Sequence, residues 1–437
     1  MNNSRDELTV HLERAVLVSV ALPGRPWLGD DPLDEVRGLA TTAGAVVVGE
    51  ILQKREHVIP GTYIGKGKLV ELQEKVEAED ADVVIFDNDL SPAQVRNLEK
   101  ATEVKVIDRS ELILDIFASR ARSVEARLQV ELAQLEYALP RLKRMWTHLS
   151  RYKGGIGLRG PGETQLEEDR RLVSLRIRDF KNRLKLVQAR KEREVRGRFE
   201  EHTVSLVGYT NAGKSTLMNV LTGAGVYVED KLFSTLDTRT RQWKLTPPTP
   251  VDASGAPRGF KVLLSDTVGF IRELPHNLIA SFKATLEEAR QARLLLHVVD
   301  ASNPHAEEQI RAVTSVLKEL DCANKATLLV LNKIDRVSDL SLLHVLEKHH
   351  PRAVAISAAK KIGMDKLQDA VIELLSEDFV NAQIDAPAGN GRILAYLSAH
   401  AEVYHQEFRD DRVMVRCYLP RFLVRHLHEP DVVVKML

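Results

Sequence analysis

A glycine-rich segment from Gly208 to Ser215 has the residue types and spacing of a phosphate-binding loop. In such loops backbone N–H groups surround the phosphates, while Lys214 would contact the β- and γ-phosphates and the Ser215 hydroxyl would bind Mg²⁺. A predicted strand precedes the segment and a predicted helix follows it, so the N-terminus of that helix would face the phosphates. The alternative is a turn that only begins a helix. The predicted nucleotide contacts are Gly208, Tyr209, Thr210, Asn211, Ala212, Gly213, Lys214, Ser215 and Thr216.

Three more motifs each follow a predicted buried strand, where open α/β sheets bind ligands. Asp266 would hold Mg²⁺ through water, and Gly269 would meet the γ-phosphate. The carboxylate of Asp335 would accept from N1–H and N2–H₂ of guanine, with the Lys333 stem on the ring. Adenine has no such donor pair, which favours GTP over ATP. In the third motif, backbone N–H groups would meet guanine O6. The predicted contacts are Asp266, Thr267, Val268, Gly269, Asn332, Lys333, Ile334, Asp335, Ser357, Ala358 and Ala359.

The segment 232–241 lies between the loop and Asp266 and contains several threonines. A threonine here can close on Mg²⁺ and the γ-phosphate and then release after hydrolysis. We select Thr235, with Thr238 and Thr240 as alternatives, so Ser215 and Thr235 are the predicted metal ligands. A plain surface loop is the competing interpretation. The predicted nucleotide contacts in this segment are Phe233, Ser234, Thr235, Leu236 and Asp237.

Phe270 occupies the position that often holds a water-orienting glutamine. A phenyl ring cannot polarise water, so either hydrolysis is slow or another group, a cation or a partner supplies the missing element. No catalytic residue is therefore assigned. Asn211 in the loop could help to hold a monovalent cation such as K⁺ beside the phosphates.

Composition excludes several classes of protein. The 437 residues are 44% apolar and 28% charged, with zero formal net charge, which is ordinary for a globular protein. Cys322 and Cys417 lack metal-binding or disulfide spacing and suit a reducing cytosol. The N-terminus does not resemble a signal peptide, and no apolar run is long enough for a transmembrane helix. We therefore expect a cytoplasmic location and no integral membrane segment, with peripheral membrane association left open.

Residues 1–116 alternate between strand and helix signals, which predicts a small α/β domain with a largely parallel sheet. A Gly-Lys-Gly-Lys segment at 65–68 could bind phosphate at a helix start, although a solvated turn is the commoner interpretation. The predicted strands are 15–22, 45–52, 82–87 and 104–108, and the predicted helices are 31–42, 66–78 and 91–102.

Residues 117–200 instead carry leucine and other apolar residues at heptad spacing, which predicts two long helices in an antiparallel coiled-coil hairpin, with Pro140 kinking or interrupting the first. Five of the eleven residues of the junction 153–163 are glycine, so this tip should hold no regular element. The stretch 141–200 has 18 Lys+Arg against 8 Asp+Glu. Contact with an RNA backbone and a merely solvated charged coiled coil are equally compatible with that composition.

Residues 201–378 predict a second α/β domain and residues 379–437 a small α+β domain. In the former, strands are predicted at 203–208, 261–266, 294–300, 328–332 and 353–357, and helices at 214–222, 277–291, 304–320, 341–349 and 364–376. Residues 247–257 predict an irregular loop between two strands. In the latter, a flexible junction at 386–391 would precede a helix at 393–407 and strands at 413–418 and 431–435.

The chain closely resembles the bacterial HflX family of translation-factor-related GTPases. The resemblance rests on the glycine-rich segment 154–167, the phosphate loop, Asp266–Ile271, Asp108-Arg and Leu112–Phe117. It implies a Ras-like P-loop GTPase domain that follows the α/β domain and the hairpin in the chain. It also implies binding to the large (50S) ribosomal subunit, with the N-terminal domain and hairpin against ribosomal RNA, and splitting of stalled or idle ribosomes under stress.

Two features depart from the family pattern. The proline usual after Thr-Leu-Asp is Thr238 here, and the 247–257 loop resembles an insertion. A GTP-gated assembly or RNA-binding scaffold of the 50S subunit is the alternative function, and a GTPase subunit of a tRNA-modifying enzyme is a weaker one. The expected ligands are GTP or GDP with Mg²⁺, and the expected oligomeric state is a monomer.

Overall fold

The computed structural model describes residues 13–24, 27, 31–145, 161–196, 202–223, 233, 239–245, 260–272, 287–376, 379–427 and 431–437. The chain forms two compact units. The first comprises Met1–Arg190, Glu229–Asp237 and Ile271–Ala284, and the second comprises Lys191–Val228, Thr238–Phe270 and Thr285–Leu437. Among the helices that the structure describes, none combines the length and apolar character needed to cross a membrane.

The first unit contains a four-stranded parallel sheet in the order β2-β1-β3-β4. Its strands and helices alternate along the chain as predicted. Strand β3 is buried at every position because helices cover both faces of a parallel sheet. Helix α3 begins with the predicted Ser91 cap and Pro92, and Gln94 completes a capping box. The elements are β1 (Arg14–Ala21), α1 (Asp34–Ala43), β2 (Val46–Lys54), α2 (Lys66–Ala78), β3 (Val83–Phe86), α3 (Pro92–Thr102), β4 (Lys105–Asp108) and α4 (Arg109–Arg120).

Two long helices follow, α5 (Val124–Met145) and α6 (Pro161–Arg196). The apolar residues at heptad spacing on α6 are less exposed than most of the other described side chains of that helix, as a coiled-coil interface requires. Lys181 of α6 also forms an ion pair with Glu136 of α5 at 2.7 Å. Helix α5 continues through Pro140, so the proline does not interrupt it. The helix α6 begins at Pro161, which corrects the predicted extent of the irregular tip; residues 146–160 lie outside the described residues. Proline at the first helical position lacks only an N–H that would have no partner there.

A charged cluster lies at the carboxyl ends of the strands in the first unit. The Arg109 guanidinium, 2% exposed, donates to Asp87 Oδ1 at 2.6 Å and to the Arg272 carbonyl at 3.0 Å, and it pairs with Glu35 at 3.0 Å. Arg272 itself donates to Asp87 Oδ2 at 3.2 Å. The Phe233 ring meets that of Phe117 edge-on, with centroids 4.5 Å apart. These contacts hold residues from the 229–237 and 271–284 segments within the first unit.

Replacing Arg109 by methionine is expected to lower the stability of the first unit by about 3 kcal/mol, because Asp87 and Glu35 lose their shared buried cation. Arg37→Met is the control, since the pairs of Arg37 with Asp31 and Glu50 are partly exposed and such pairs contribute less than about 1 kcal/mol. Hydrogen exchange of peptides from β3 measures the effect. Equal losses of protection in the two variants would contradict it.

The second unit contains a six-stranded sheet in the order β10-β9-β8-β5-β7-β6. Its strands pair in parallel except for β6 and β7, which are antiparallel. Strand β6 shows that the predicted loop at 232–241 ends in a strand. Of the helix predicted at 277–291, the structure describes only 287–291. The elements are β5 (His202–Gly208), α7 (Lys214–Thr222), β6 (Arg239–Leu245), β7 (Phe260–Asp266), α8 (Glu287–Gln291), β8 (Leu294–Asp300), α9 (Ala306–Glu319), β9 (Ala326–Asn332), α10 (Leu340–His349), β10 (Val354–Ala355) and α11 (Met364–Ser376).

Two buried histidines make this unit sensitive to acid. Burial lowers the pKa of His202 and of His297 to about 4, and nearby positive charges add to the effect. The unfolded chain therefore takes up protons that the folded chain rejects. The free energy of unfolding of the second unit therefore keeps its full value above pH 6.5 and decreases as the pH falls from 6.5 towards 4. Between pH 7.5 and pH 5.0 each histidine is expected to cost about 2 kcal/mol of stability.

Hydrogen exchange of β8 at these two pH values tests this effect, because it reports on the second unit separately. The variant His297→Leu should lose about half of the drop in protection. A β3 peptide is the internal control with the opposite sign. In the first unit, burial raises the pKa of Glu111 to about 7 and that of Asp115 to about 6. Their contribution to the stability of that unit therefore decreases as the pH rises through those values. The same drop in the variant as in the original chain would exclude His297 as a source.

The C-terminal part forms a four-stranded antiparallel sheet in the order β12-β13-β11-β14. The predicted helix at 393–407 is wrong beyond His400, because 402–409 is an edge strand whose polar side chains obscure strand alternation in the sequence. The predicted junction at 386–391 is also partly wrong, because β11 extends to Pro387. Cys417 is fully buried, and burial raises its pKa to about 12, so the thiol is structural. The elements are β11 (Phe379–Pro387), α12 (Gly391–His400), β12 (Glu402–Arg409), β13 (Arg412–Pro420) and β14 (Val433–Met436).

Candidate functional site: a guanine nucleotide pocket

The phosphate loop joins β5 to α7, as predicted, and two of its glycines are required by geometry. Gly208 has φ 150°, and a Cβ there would lie 2.1 Å from the Val298 carbonyl oxygen. Gly213 has φ 93° at the N-cap of α7, and a Cβ there would lie 2.3 Å from the Asn332 amide nitrogen. Any larger residue at either position would force the loop away from β8 and β9. Helix α7 begins directly after Gly213 with no side-chain cap, so the N–H groups of its first turn could bind an anion in the loop.

Lys214 is buried within this loop. Its ammonium group donates to the carbonyl oxygens of Gly208 at 3.1 Å and Tyr209 at 2.8 Å. Burial lowers the pKa of Lys214 to about 8, although the charge of Asp266 acts in the opposite direction. The backbone of Gly269 also lies close, because a Cβ on it would be 3.1 Å from the lysine Nζ. The two carbonyl dipoles and the Asp266 charge do not fully offset the burial of this ammonium, since its pKa stays lowered, so an anionic phosphate is a ligand that would stabilise it.

Ser215 and Asp266 come together at the end of β7. The Ser215 hydroxyl donates to Asp266 Oδ2 at 2.7 Å, and Asp266 is 1% exposed. These are the hard oxygen donors that Mg²⁺ prefers, so the residues present fit that ion. Thr267 uses its hydroxyl on the Leu206 carbonyl at 2.7 Å. Phe270 is buried, and its backbone pairs with the phosphate loop through Gly208 and Thr210.

The base-reading motifs meet through Asn332. Its side-chain nitrogen donates to the Ala212 carbonyl at 2.9 Å, and its side-chain oxygen accepts from the Ala358 N–H at 3.0 Å. Asn332 thus joins the phosphate loop to the third motif. Asp335 accepts from the Ser357 hydroxyl at 2.5 Å, which lowers its pKa and keeps it an acceptor at neutral pH. A side chain that only accepts hydrogen bonds, at this place, suits a ligand edge that carries two donors.

The structure also shows a contact that the motifs did not indicate. The Lys333 ammonium pairs with Asp300 Oδ2 at 2.7 Å, and Asp300 ends β8 beside Asn332 at the end of β9. The sequence contained a usable signal for Asp300, because it ends a buried apolar strand in the same way as Asp266.

Four motifs that are far apart in the sequence therefore lie together in the second unit: 208–216, 266–269, 332–335 and 357–359. Residues 234–237, including the predicted Mg²⁺ ligand Thr235, and the alternative Thr238 lie outside the described residues. Phe233 is buried against Phe117 in the first unit, which does not test its predicted nucleotide contact. The other alternative, Thr240, lies in β6 with its hydroxyl bonded to Ser265 at 3.1 Å and Glu288 at 3.2 Å.

Sequence models of three protein families match successive parts of the chain. A model described as "GTP-binding GTPase N-terminal" matches residues 30–118, and one described as "GTP-binding GTPase Middle Region" matches 120–198. A third, "50S ribosome-binding GTPase", matches 203–333 and so includes the phosphate loop, the Asp266 motif and the start of the base-reading motif.

Whole-length relatives agree with these matches. GTPase HflX of Caldanaerobacter subterraneus is 44% identical over 413 residues, which cover 94% of this chain and 92% of the relative. GTPase HflX of Escherichia coli is 48% identical over 384 residues, covering 87% of each chain. GTPase HflX of Lacrimispora saccharolytica is 43% identical over 417 residues, covering 95% of each. These relatives match over most of the chain, and the four motifs of a guanine nucleotide pocket lie together in the second unit. The chain therefore belongs to the HflX family of ribosome-associated GTPases and is a GTP-hydrolysing enzyme.

Proposed function

We propose that this GTPase is a molecular switch that binds the large (50S) ribosomal subunit and dissociates stalled or idle ribosomes under stress. The observation that carries the proposal is that four guanine-nucleotide motifs lie together while Phe270 occupies the position of a water-orienting side chain. Phe270 cannot orient the attacking water, so we propose that a partner supplies the group that does. The description of the family model over 203–333 names the 50S subunit as a partner, and the basic stretch 141–200 supports contact with RNA.

In the proposed site each motif has one task. The phosphate loop and Lys214 bind the β- and γ-phosphates, and Gly269 meets the γ-phosphate. Asp335 reads guanine while Lys333 packs on its ring. The Ala358 N–H is used by Asn332, so Ala359 offers its N–H group to O6. Mg²⁺ would be held by Ser215 and Thr235, with Asp266 acting through water. When bound, the ion would neutralise the negative charge that develops on the phosphates during transfer.

The switch cycle follows from these contacts. GTP would order the segments 229–241 and 266–276 and favour the ribosome-bound state, whereas loss of the γ-phosphate would permit release. Water attacks the γ-phosphorus, and the bond to the bridging oxygen of GDP breaks. The helical hairpin and its predicted glycine-rich tip, 153–163, would contact ribosomal RNA. We also propose that the protein acts as a monomer in the cytoplasm, where ribosomes are present, and that its domains divide at 116, 200 and 378.

Steady-state GTPase assays with and without purified 50S subunits test the proposed partner. We expect stimulation of at least about 10-fold, because preorganised electrostatic contacts from a partner commonly supply more than this. The 30S subunit is the matched control, since it offers an RNA surface of similar charge. No stimulation by 50S, or equal stimulation by 30S, would contradict the proposal.

Sucrose gradients separate splitting from the alternative function. With GTP, the proposed splitter converts 70S ribosomes into subunits. A GTP-gated scaffold for 50S assembly or RNA binding would leave 70S ribosomes intact and would sediment with immature 50S particles. The basic stretch 141–200 is compatible with both outcomes, so the gradient decides between them.

A monovalent cation is a further part of the proposed site. Asn211 is exposed in the phosphate loop, where its backbone adopts φ 59°. If Asn211 helps to hold K⁺, the GTPase rate should be higher in potassium than in sodium buffer, and Asn211→Ala should remove the difference. Equal rates of the original chain in the two buffers would rule out a cation at this position.

A further inference from the structure

Strand β8 ends in an aspartate, Asp300, that belongs to none of the four predicted nucleotide-binding motifs. Asp300 is the last residue of β8 and lies directly beside Asn332, the last residue of β9. The Ala301 N–H donates to the Asn332 carbonyl at 2.8 Å, so the two strand ends remain joined beyond the regular sheet. Asp300 therefore lies next to the base-reading motif although it is separated from it by α9 in the sequence.

Asp300 is held in one orientation by its own neighbours. One carboxylate oxygen, Oδ1, accepts from the Ser302 N–H at 3.0 Å and from the Ser302 hydroxyl at 2.6 Å. The other oxygen, Oδ2, pairs with the Lys333 ammonium at 2.7 Å. Because Ser302 occupies Oδ1, the carboxylate presents Oδ2 to Lys333 before any nucleotide binds.

Lys333 is held at both its backbone and its side chain. Its backbone has φ 62°, a left-handed conformation that residues with a Cβ rarely adopt and that often marks functional positions. The Lys333 carbonyl accepts from the Arg336 N–H at 2.9 Å, and the next residue donates to the Ile356 carbonyl at 3.2 Å. The side chains of Lys333 and Asp300 are 15% and 18% exposed, so solvent screens their pair only partly.

We propose that Asp300 is a positioning residue for guanine binding, which holds the Lys333 side chain over the place that the guanine ring occupies. This inference rests on the proposed packing of the Lys333 stem on that ring. A free lysine side chain samples many rotamers, and a ligand must restrict them when it binds. The Asp300 carboxylate restricts the rotamers of Lys333 before the nucleotide binds, and it does so without contacting the nucleotide.

A double-mutant cycle tests this role. Asp300→Asn keeps the shape and an oxygen for Ser302 but replaces Oδ2 by a donor that cannot accept from Lys333. In the full chain, isothermal titration with GDP should show about 10-fold weaker binding, which is the effect of releasing one long side chain. In the Lys333→Met background, the same change at Asp300 should have no further effect. A further 10-fold loss in that background would overturn the proposal.

Two more measurements distinguish positioning from a general disturbance of the loop. Ser302→Ala is the matched control: it removes one bond to Asp300 but leaves the pair with Lys333, and it should change GDP affinity by less than about 2-fold. In steady-state assays over a range of GTP concentrations, Asp300→Asn should raise KM about 10-fold with kcat unchanged, as expected for loss of uniform binding. An equal loss of GDP affinity in Ser302→Ala, or a fall in kcat with KM unchanged, would show a structural role instead. If Lys333→Met alone binds GDP as the original chain does, the proposed packing on guanine fails and this inference fails with it.

Discussion

Replacing Asp335 by asparagine is expected to lower the affinity for GTP by at least about 10³-fold and to permit binding of XTP. The reason is the pattern of donors on the base. The Asp335 carboxylate only accepts, and guanine presents N1–H and N2–H₂ to it. An amide in the same place would bring its own N–H₂ against those donors, which leaves groups without partners at the moment they are covered.

Xanthine carries a carbonyl oxygen where guanine carries the 2-amino group, so the asparagine amide can donate to it. Competition of GTP and XTP for labelled GDP measures both affinities. Asp339→Asn is the matched control, because Asp339 is also a surface aspartate that accepts from a nearby serine, Ser341, and it belongs to the cap of α10. A variant at 335 that retains GTP affinity, or a variant at 339 that loses it, would show that Asp335 does not read the base.

Replacing Lys214 by alanine is expected to lower kcat/KM for GTP by about 10³-fold, because it removes a preorganised positive charge from the phosphates. The same change should leave the nucleotide-free protein at least as stable. The lowered pKa of Lys214 shows that burial disfavours its charge in the free protein, so alanine removes a cost along with the charge. We therefore expect an unchanged or higher melting temperature without nucleotide, together with loss of the rise in melting temperature that GDP causes.

Thermal melting with and without GDP, combined with steady-state GTPase assays, measures both effects. Lys318→Ala is the control, because Lys318 is exposed on α9 and should change neither the GTPase rate nor the response to GDP. A GTPase rate of Lys214→Ala within a few-fold of the original would refute the site, as would a large drop in melting temperature with normal binding of nucleotide.

The secondary structure was predictable where residues near in the sequence decide it. Most predicted strands and helices of 13–108 and 202–376 that the structure describes lie close to the predicted bounds, because buried parallel strands are continuous apolar runs and helices carry caps such as Ser91. Helix α4 and the bounds of strand β6 were not predicted. The C-terminal sheet was harder to predict. The strand β12 is an edge strand with polar residues on its exposed face, and its neighbour β13 supplies the pairing that makes it a strand.

The candidate site shows the same division. The sequence by itself predicted the groups that form the candidate pocket and their order, because the loop Gly208–Ser215 and the motif Asn332–Asp335 are defined by residue types at fixed local spacing. It also determined that guanine is the base. The resemblance that identified the family rested on such local motifs as well, and relatives at 40–48% identity bear it out.

Only the tertiary structure decided how those groups are held. Strand order places β8 beside β9, which brings Asp300 to Lys333, and places β5 beside β7, which brings Ser215 to Asp266. The Arg109 cluster likewise joins residues that are 163 positions apart in the chain. Such pairs depend on which strands are neighbours and on the burial that makes a charge require a partner. The local spacing of residues predicts neither strand order nor burial, because both arise only when distant segments pack together.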